Sequence, residues 1–274
     1  MMIILILFFL MVQSLFANEY NEMLAKTALN ISQSTYCLDT TSTWNCATCS
    51  SENEYQKLIK HDNELIIIGY NTIYKTLFTS FRGSANIQNW IDNIHVSQIQ
   101  PYNNTDISVE KGFYNLFTNL KTDVIKEINN VSTEYKTNNL LITGHSLGGA
   151  LSTLLAFELL YVENTNMNIK LITFGSPRVG NKKFVSFFND FSIYSNRITH
   201  YYDMVPHIPQ EFLKYVHISQ EIWYNEENSQ YKLCKDQDNI EDSTCSDSCS
   251  PMHCTSTSDH MKYLNISMGT EGDC

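Results

Sequence analysis

The stretch Leu140-Leu141-Ile142-Thr143-Gly144-His145-Ser146-Leu147-Gly148-Gly149-Ala150 sets a Gly-x-Ser-x-Gly pattern between an apolar run and a run of helix formers. A serine held on a tight strand-to-helix turn needs small residues two positions before and after it, because side chains there would strike the neighbouring strand and helix. Gly144 and Gly148 meet that need. The same turn places the start of the helix beside Ser146, so unpaired backbone N–H groups face an oxygen that becomes negative during acyl transfer. The N–H of Leu147 is the expected donor. Five such residues can also fall together by chance in a helix-capping turn, and it is the strand before and the helix after that favour the chemical reading.

Working outward, apolar strands over 140–143, 170–174 and 197–202 alternate with helices over 147–161 and 181–191. Alternation of this kind predicts parallel strands joined by crossover helices. Upstream, 112–131 places Phe113, Leu116, Phe117, Leu120, Val124, Ile128 and Val131 on one face of an amphipathic helix. The β-branched and aromatic runs 64–70 and 72–81 read as adjacent strands, and 21–31 as a first helix carrying Leu24, Ala28 and Ile31. Residues 37–49 and 225–258 are polar and Cys-bearing, so both read as loops, the second pinned by disulfides. The expected fold class is α/β: a central, mostly parallel sheet flanked by helices, in a single domain spanning 18–274.

The 274 residues, 43% of them hydrophobic, suffice to bury one sizeable core. With 18 Lys+Arg against 29 Asp+Glu, the net charge is −11 and the basic residues form no stripe, which argues against a nucleic-acid partner. Residues 1–17 carry no charged side chain, and an apolar run from 1 to 12 gives way to Gln13, Ser14 and Ala17. That pattern reads as a secretory signal and is shorter than the roughly 20 apolar residues of a transmembrane span. All eight cysteines lie beyond it, and an even count in an oxidising compartment points to disulfides. Sequons at Asn30, Asn103, Asn130 and Asn265 are compatible with that route.

A serine alone is a weak nucleophile; a histidine must take its proton and a carboxylate must orient the histidine. After Ser146 come His200, His207, His217, His253 and His260, with Asp190, Asp203, Asp236 and Asp259 among the acids. Spacing alone does not choose among them. An acid just after a sheet strand and a histidine on a loop after the last strand are the required positions. Asp203 follows 197–202 directly, and of the two late histidines His253 adjoins Cys254, which makes His260 the better candidate for the base.

These residues resemble the class 3 lipases, the family of the filamentous-fungal triacylglycerol lipases, over about 37–274. The likeness is carried by Thr79-Ser80-Phe81-Arg82-Gly83-Ser84 with Asn89-Trp90, by 144–150, and by Thr173-Phe174-Gly175-Ser176-Pro177-Arg178-Val179-Gly180. Arg197-Ile198-Thr199-His200, Asp203, Val205-Pro206-His207 and Asp259-His260 complete the series. The resemblance implies an α/β-hydrolase fold without cofactor or metal, a triad of Ser146, Asp203 and His260, and an oxyanion hole from Leu147 and Ser84. It implies a lid helix carrying Ile87, Trp90, Ile91 and Ile94, which closes over the acyl groove in water and opens at a lipid surface. On periodicity alone the same residues suit an ordinary surface helix facing the core.

The resemblance further implies bridges Cys37 to Cys274, Cys46 to Cys49 and Cys234 to Cys245, with Cys249 and Cys254 left over. A zinc site from Cys46, Cys49, Cys245 and Cys249 is the competing arrangement. The substrate expected is a lipid ester at a lipid–water interface, with peripheral contact to lipid rather than a span. Phospholipase A1 and feruloyl esterase share this framework and remain open, as does an inactive lipid-binding relative, though that would be expected to lack a triad member.

Overall fold

The computed structural model describes residues 20–37, 43–94, 96–103, 106–218, 220–235, 240–249, 253–269 and 274; the secretory signal expected over 1–17 lies outside them. Eight strands, neighbours in space in the order of the chain, form one mixed sheet. They are β1 (Asn53–His61), β2 (Glu64–Asn71), β3 (Thr76–Phe81), β4 (Asn139–His145), β5 (Asn168–Phe174), β6 (Tyr194–His200), β7 (Glu221–Tyr224) and β8 (Tyr231–Leu233). β3 through β7 run parallel, while β1 and β2 at one edge and β8 at the other are antiparallel.

Alternate side chains of a strand face opposite sides, and the core divides accordingly. Ile66, Ile68, Leu140 and Ile142 pack on one side under α3 (Lys111–Tyr135) and α4 (Leu147–Phe157). Leu65, Ile67 and Leu141 pack on the other under α1 (Glu22–Ser34). α1 is capped by Asn21, whose side chain accepts from Leu24 N–H at 2.9 Å. The N-cap of α3 is Glu110, accepting from Phe113 N–H at 2.7 Å, and Lys136 ends that helix in the left-handed region. Every residue of α4 is buried, and beyond Phe157 it widens into a turn over Glu158–Val162. The short helix α2 (Ile87–Asn93) follows β3, and α5 (Lys182–Asp190) follows β5.

Two sequence expectations are corrected, and one strand was not anticipated. The strand read over 197–202 is Tyr194–His200, so a turn intervenes before Asp203. Residues 225–258 are not wholly loop, because β8 lies among them, paired to β7. β1, the long antiparallel edge, carried no signal: its residues are largely exposed and include Lys57, Lys60 and His61, charges that suit an edge strand.

All eight cysteines pair: Cys37–Cys274, Cys46–Cys49, Cys234–Cys245 and Cys249–Cys254. The competing zinc arrangement fails, because its four sulfurs are bonded within three separate disulfides. Cys37–Cys274 closes a loop over a separation of 237 residues. Replacing both by Ser should lower the unfolding free energy by about 4 kcal/mol through the freed unfolded chain. Urea titration of the two forms measures it, and a loss under about 1 kcal/mol would contradict that account.

Candidate active site

Ser146 stands where β4 turns into α4, with φ 59° and ψ −132°, a backbone conformation a serine adopts only under constraint. The constraint is visible at the glycines. A Cβ on Gly148 would lie 2.1 Å from the Phe81 carbonyl oxygen, and one on Gly144 would lie 2.3 Å from that of Gly148. Helix and strands therefore approach at backbone contact. Leu147 is the first residue of α4, where a backbone N–H has no partner inside the helix. Ser84, half-buried, lies just after Gly83, whose added Cβ would sit 3.0 Å from that of Ser146.

The structure brings Asp203 and His260 into contact: His260 Nδ1–H donates to Asp203 Oδ2 at 2.8 Å, both residues being buried. Asp203 Oδ1 also accepts from Val205 N–H at 2.8 Å, and Oδ2 from the Tyr263 hydroxyl. Burial and the Asp203 charge push the Tyr263 pKa far up, so that hydroxyl stays a donor. A two-bond ladder joins the segments of Asp203 and His260, with Ser256 N–H donating to Tyr202 O at 3.1 Å and Met204 N–H to Ser256 O at 3.3 Å. His260 also sits beside the turn of Ser146, its ring centroid 4.4 Å from that of His145.

Ser146 Oγ and His260 Nε2 are both buried and have no hydrogen-bond partner among the described residues. A carboxylate that fixes Nδ1–H leaves Nε2 with its lone pair free, the state needed to take a hydroxyl proton. The other histidines and acids stand elsewhere. His217 Nε2 donates to Pro206 O at 2.7 Å, His253 is exposed, and Asp190 is exposed at the end of α5. Asp259 accepts from Tyr202 N–H at 3.3 Å, and Asp236 lies outside the described residues.

α2 carries Ile87, Trp90, Ile91 and Ile94 half-buried. Trp90 stacks on Phe113 with ring centroids 6.1 Å apart, and Trp90 and Ile94 pack against the core cluster that includes Leu147. A cavity of about 490 Å³ opens beside it, lined by Trp90, Ile94, Phe113 and Leu116. Sequence reasoning missed Tyr36, Tyr263 and the part played by His145. Only His145 carried a signal, as a polar residue inside an otherwise apolar strand, and its partners are remote in the chain.

The model of the family Lipase (class 3) matches residues 78–213. The chain is 29% identical over 263 residues to a lipase of Rhizomucor miehei, covering 92% of this chain and 70% of that one. It is 34% identical over 149 residues to secreted mono- and diacylglycerol lipase 1 of Fusarium solani, covering 54% and 44%. It spans 59% of the length of two further curated relatives. Among solved structures, lipase II from Rhizopus niveus superposes with a TM-score of 0.83 at 25% identity, covering 90% of this chain and 95% of that one.

Next to the acid loop, burial and then the Arg178 charge hold the His207 pKa down to about 4, against about 6.5 in an unfolded chain. A lowered pKa means the unfolded chain takes the proton first. Stability is therefore intact above pH 6.5 and falls by up to about 3 kcal/mol as pH drops towards 4. His145 and His217, pushed down by burial, act in the same direction. His207→Gln should flatten the pH dependence of unfolding free energy between about 6.5 and 4, and an unchanged slope would exclude His207 as a contributor.

Proposed function

The chain belongs to the class 3 lipases, serine carboxylic-ester hydrolases, and from that premise we propose that it is a secreted enzyme cleaving acyl esters of lipids of the triacylglycerol type. Ser146 is the nucleophile, His260 the base and Asp203 the residue that orients it. The observation that carries this reading is the pair of buried, unpartnered atoms, Ser146 Oγ and His260 Nε2, behind a fully engaged Asp203.

Ser146 Oγ attacks the ester carbonyl carbon as its proton passes to His260 Nε2, and Asp203 stabilises the resulting imidazolium. The carbonyl oxygen, now negative, accepts from Leu147 N–H and from Ser84. The imidazolium returns the proton to the departing alcohol, leaving an acyl-enzyme, and a water activated by the same imidazole releases the acid. Secretion is supported by the apolar run over 1–12, by four disulfides, and by the word "secreted" in a relative's name. On this reading 18–274 forms one domain after a signal, and no described helix is long and apolar enough to cross a membrane.

α2 is the lid. In water Ile87, Trp90, Ile91 and Ile94 escape solvent only by packing onto the protein, and Ser146, 1% exposed, is covered. At an oil surface the same side chains can be buried in lipid. Each large apolar side chain contributes about 1.5–3 kcal/mol, so several together shift a closed-to-open ratio by orders of magnitude.

Ser146→Ala should lower kcat by about 10⁶, with His260→Ala comparable and Asp203→Asn nearer 10⁴. An organophosphonate should label Ser146; labelling of another serine in an active preparation would remove the assignment. For the lid, hydrolysis of a short-chain ester should rise sharply once the substrate passes its solubility limit. Replacing Ile91 and Ile94 by Ser should flatten that rise while sparing dissolved monomer. Smooth saturation through the limit in the unmodified protein would instead favour a soluble-ester or feruloyl-type esterase.

A further inference from the structure

The backbone carbonyls of Asp259 and His260 are each held by another imidazole. His145 Nε2 lies 2.9 Å from the carbonyl oxygen of His260, and His200 Nδ1 lies 2.9 Å from that of Asp259. A carbonyl only accepts, so the proton of each ring must sit on the nitrogen that faces it. The two rings therefore use opposite nitrogens.

What lies behind each ring agrees. His145 Nδ1 is 2.8 Å from the Tyr36 hydroxyl, which donates to it while itself accepting from Gly83 N–H. His200 Nε2 faces Asn228 Nδ2 at 2.8 Å. That amide cannot turn round, because Asn228 Oδ1 accepts from Leu264 N–H at 2.9 Å. The Glu226 carbonyl also lies 3.1 Å from His200 Nε2, so carbonyls face both nitrogens of this ring; the nearer Asn228 amide, a donor fixed in orientation by its Oδ1, decides between them and makes Nε2 the acceptor. All four side chains, Tyr36, His145, His200 and Asn228, are buried.

We propose that His145 and His200 are positioning residues that clamp the backbone at 259–260 through opposite ring nitrogens and so aim His260 Nε2 at Ser146. His260 stands at the last turn of the four-residue helix Thr257–His260, beyond the sheet and with no strand of its own to fix it. A small rotation of the peptide planes there swings the far ring nitrogen through a large arc, and a displacement of 1 Å at a reacting atom can cost about 100-fold. Tyr36 makes the clamp continuous with the turn at Gly83 and Ser84, so base, nucleophile and oxyanion turn share one buried network. The proposal rests on the reading of His260 as the base.

The opposite use of ring nitrogens gives a test that a merely structural role would fail. Glutamine places its amide nitrogen near the position of a histidine Nε2, and asparagine near that of Nδ1. His145→Gln and His200→Asn should therefore keep kcat on a dissolved short-chain ester within about threefold. His145→Asn and His200→Gln should lose about 10- to 100-fold in kcat, with KM within about twofold and melting temperatures matched within each pair. Equal activity of the Gln and Asn variants at either position, or losses that follow the melting temperature, would overturn the clamp. Nitrogen-15 NMR of the unmodified protein should find the proton on Nε2 of His145 and on Nδ1 of His200; the reverse tautomers would also overturn it. Full hydrolysis by His260→Ala would instead remove the base assignment while the tautomer result stood.

Discussion

The backbone contact between Gly148 and the Phe81 carbonyl governs the geometry of the site. It lets α4 start hard against β3 and β4, which forces Ser146 into its positive-φ turn and brings the 82–84 turn against it. A strained residue of this kind costs about 1–3 kcal/mol and persists only where its surroundings over-determine it. Here they do, since α4 is buried along its whole length and β4 lies between two parallel neighbours. A methyl group at 148 would have to move a helix or a strand, and either movement would carry Ser146 or the oxyanion turn with it.

What the sequence made legible follows from how local each signal is. The parallel heart of the sheet showed itself because β4 and β5 are buried on both faces and read as continuous apolar runs. α3 showed itself through a stripe of seven apolar residues at helical spacing. β1 and β8 did not, because an edge strand faces solvent and leaves no apolar alternation. The start of β6 was misplaced because Ser195 and Asn196 are polar within a strand.

For the candidate site, the glycines singled out Ser146, and topology singled out Asp203 and His260, which the structure brings into contact. Position could say where a base must be but not what holds it. Tyr36 with His145, and His200 with Asn228, are separated by 109 and 28 residues, and one sequence carries no trace of such pairings. His200 stood in the sequence only as one of several histidines after Ser146, and its ring is hydrogen-bonded on both sides.

The division of labour between apolar and polar contacts then has a physical reason. Ser146 belongs to the sheet and is fixed by close packing, which resists displacement in every direction. Asp203 follows β6 on a turn and His260 ends the short helix Thr257–His260, both buried but beyond the strand ends. Their positions rest on directional contacts, the ladder through Ser256 and the bonds of Asp203 with Val205 N–H, Tyr263 and His260; nearby, Arg178 makes two bonds of 2.7 Å to Glu241 and one to Pro209 O. Burial alone would raise the Glu241 pKa, but the charge and hydrogen bonds of Arg178 hold it low, so it stays ionised and paired. A buried pair of this sort adds little net stability against an apolar replacement, yet removing one partner strands a charge at a cost of about 3–5 kcal/mol. Such a contact is intolerant of small displacements, so it fixes the loops it joins by direction where close packing alone would not.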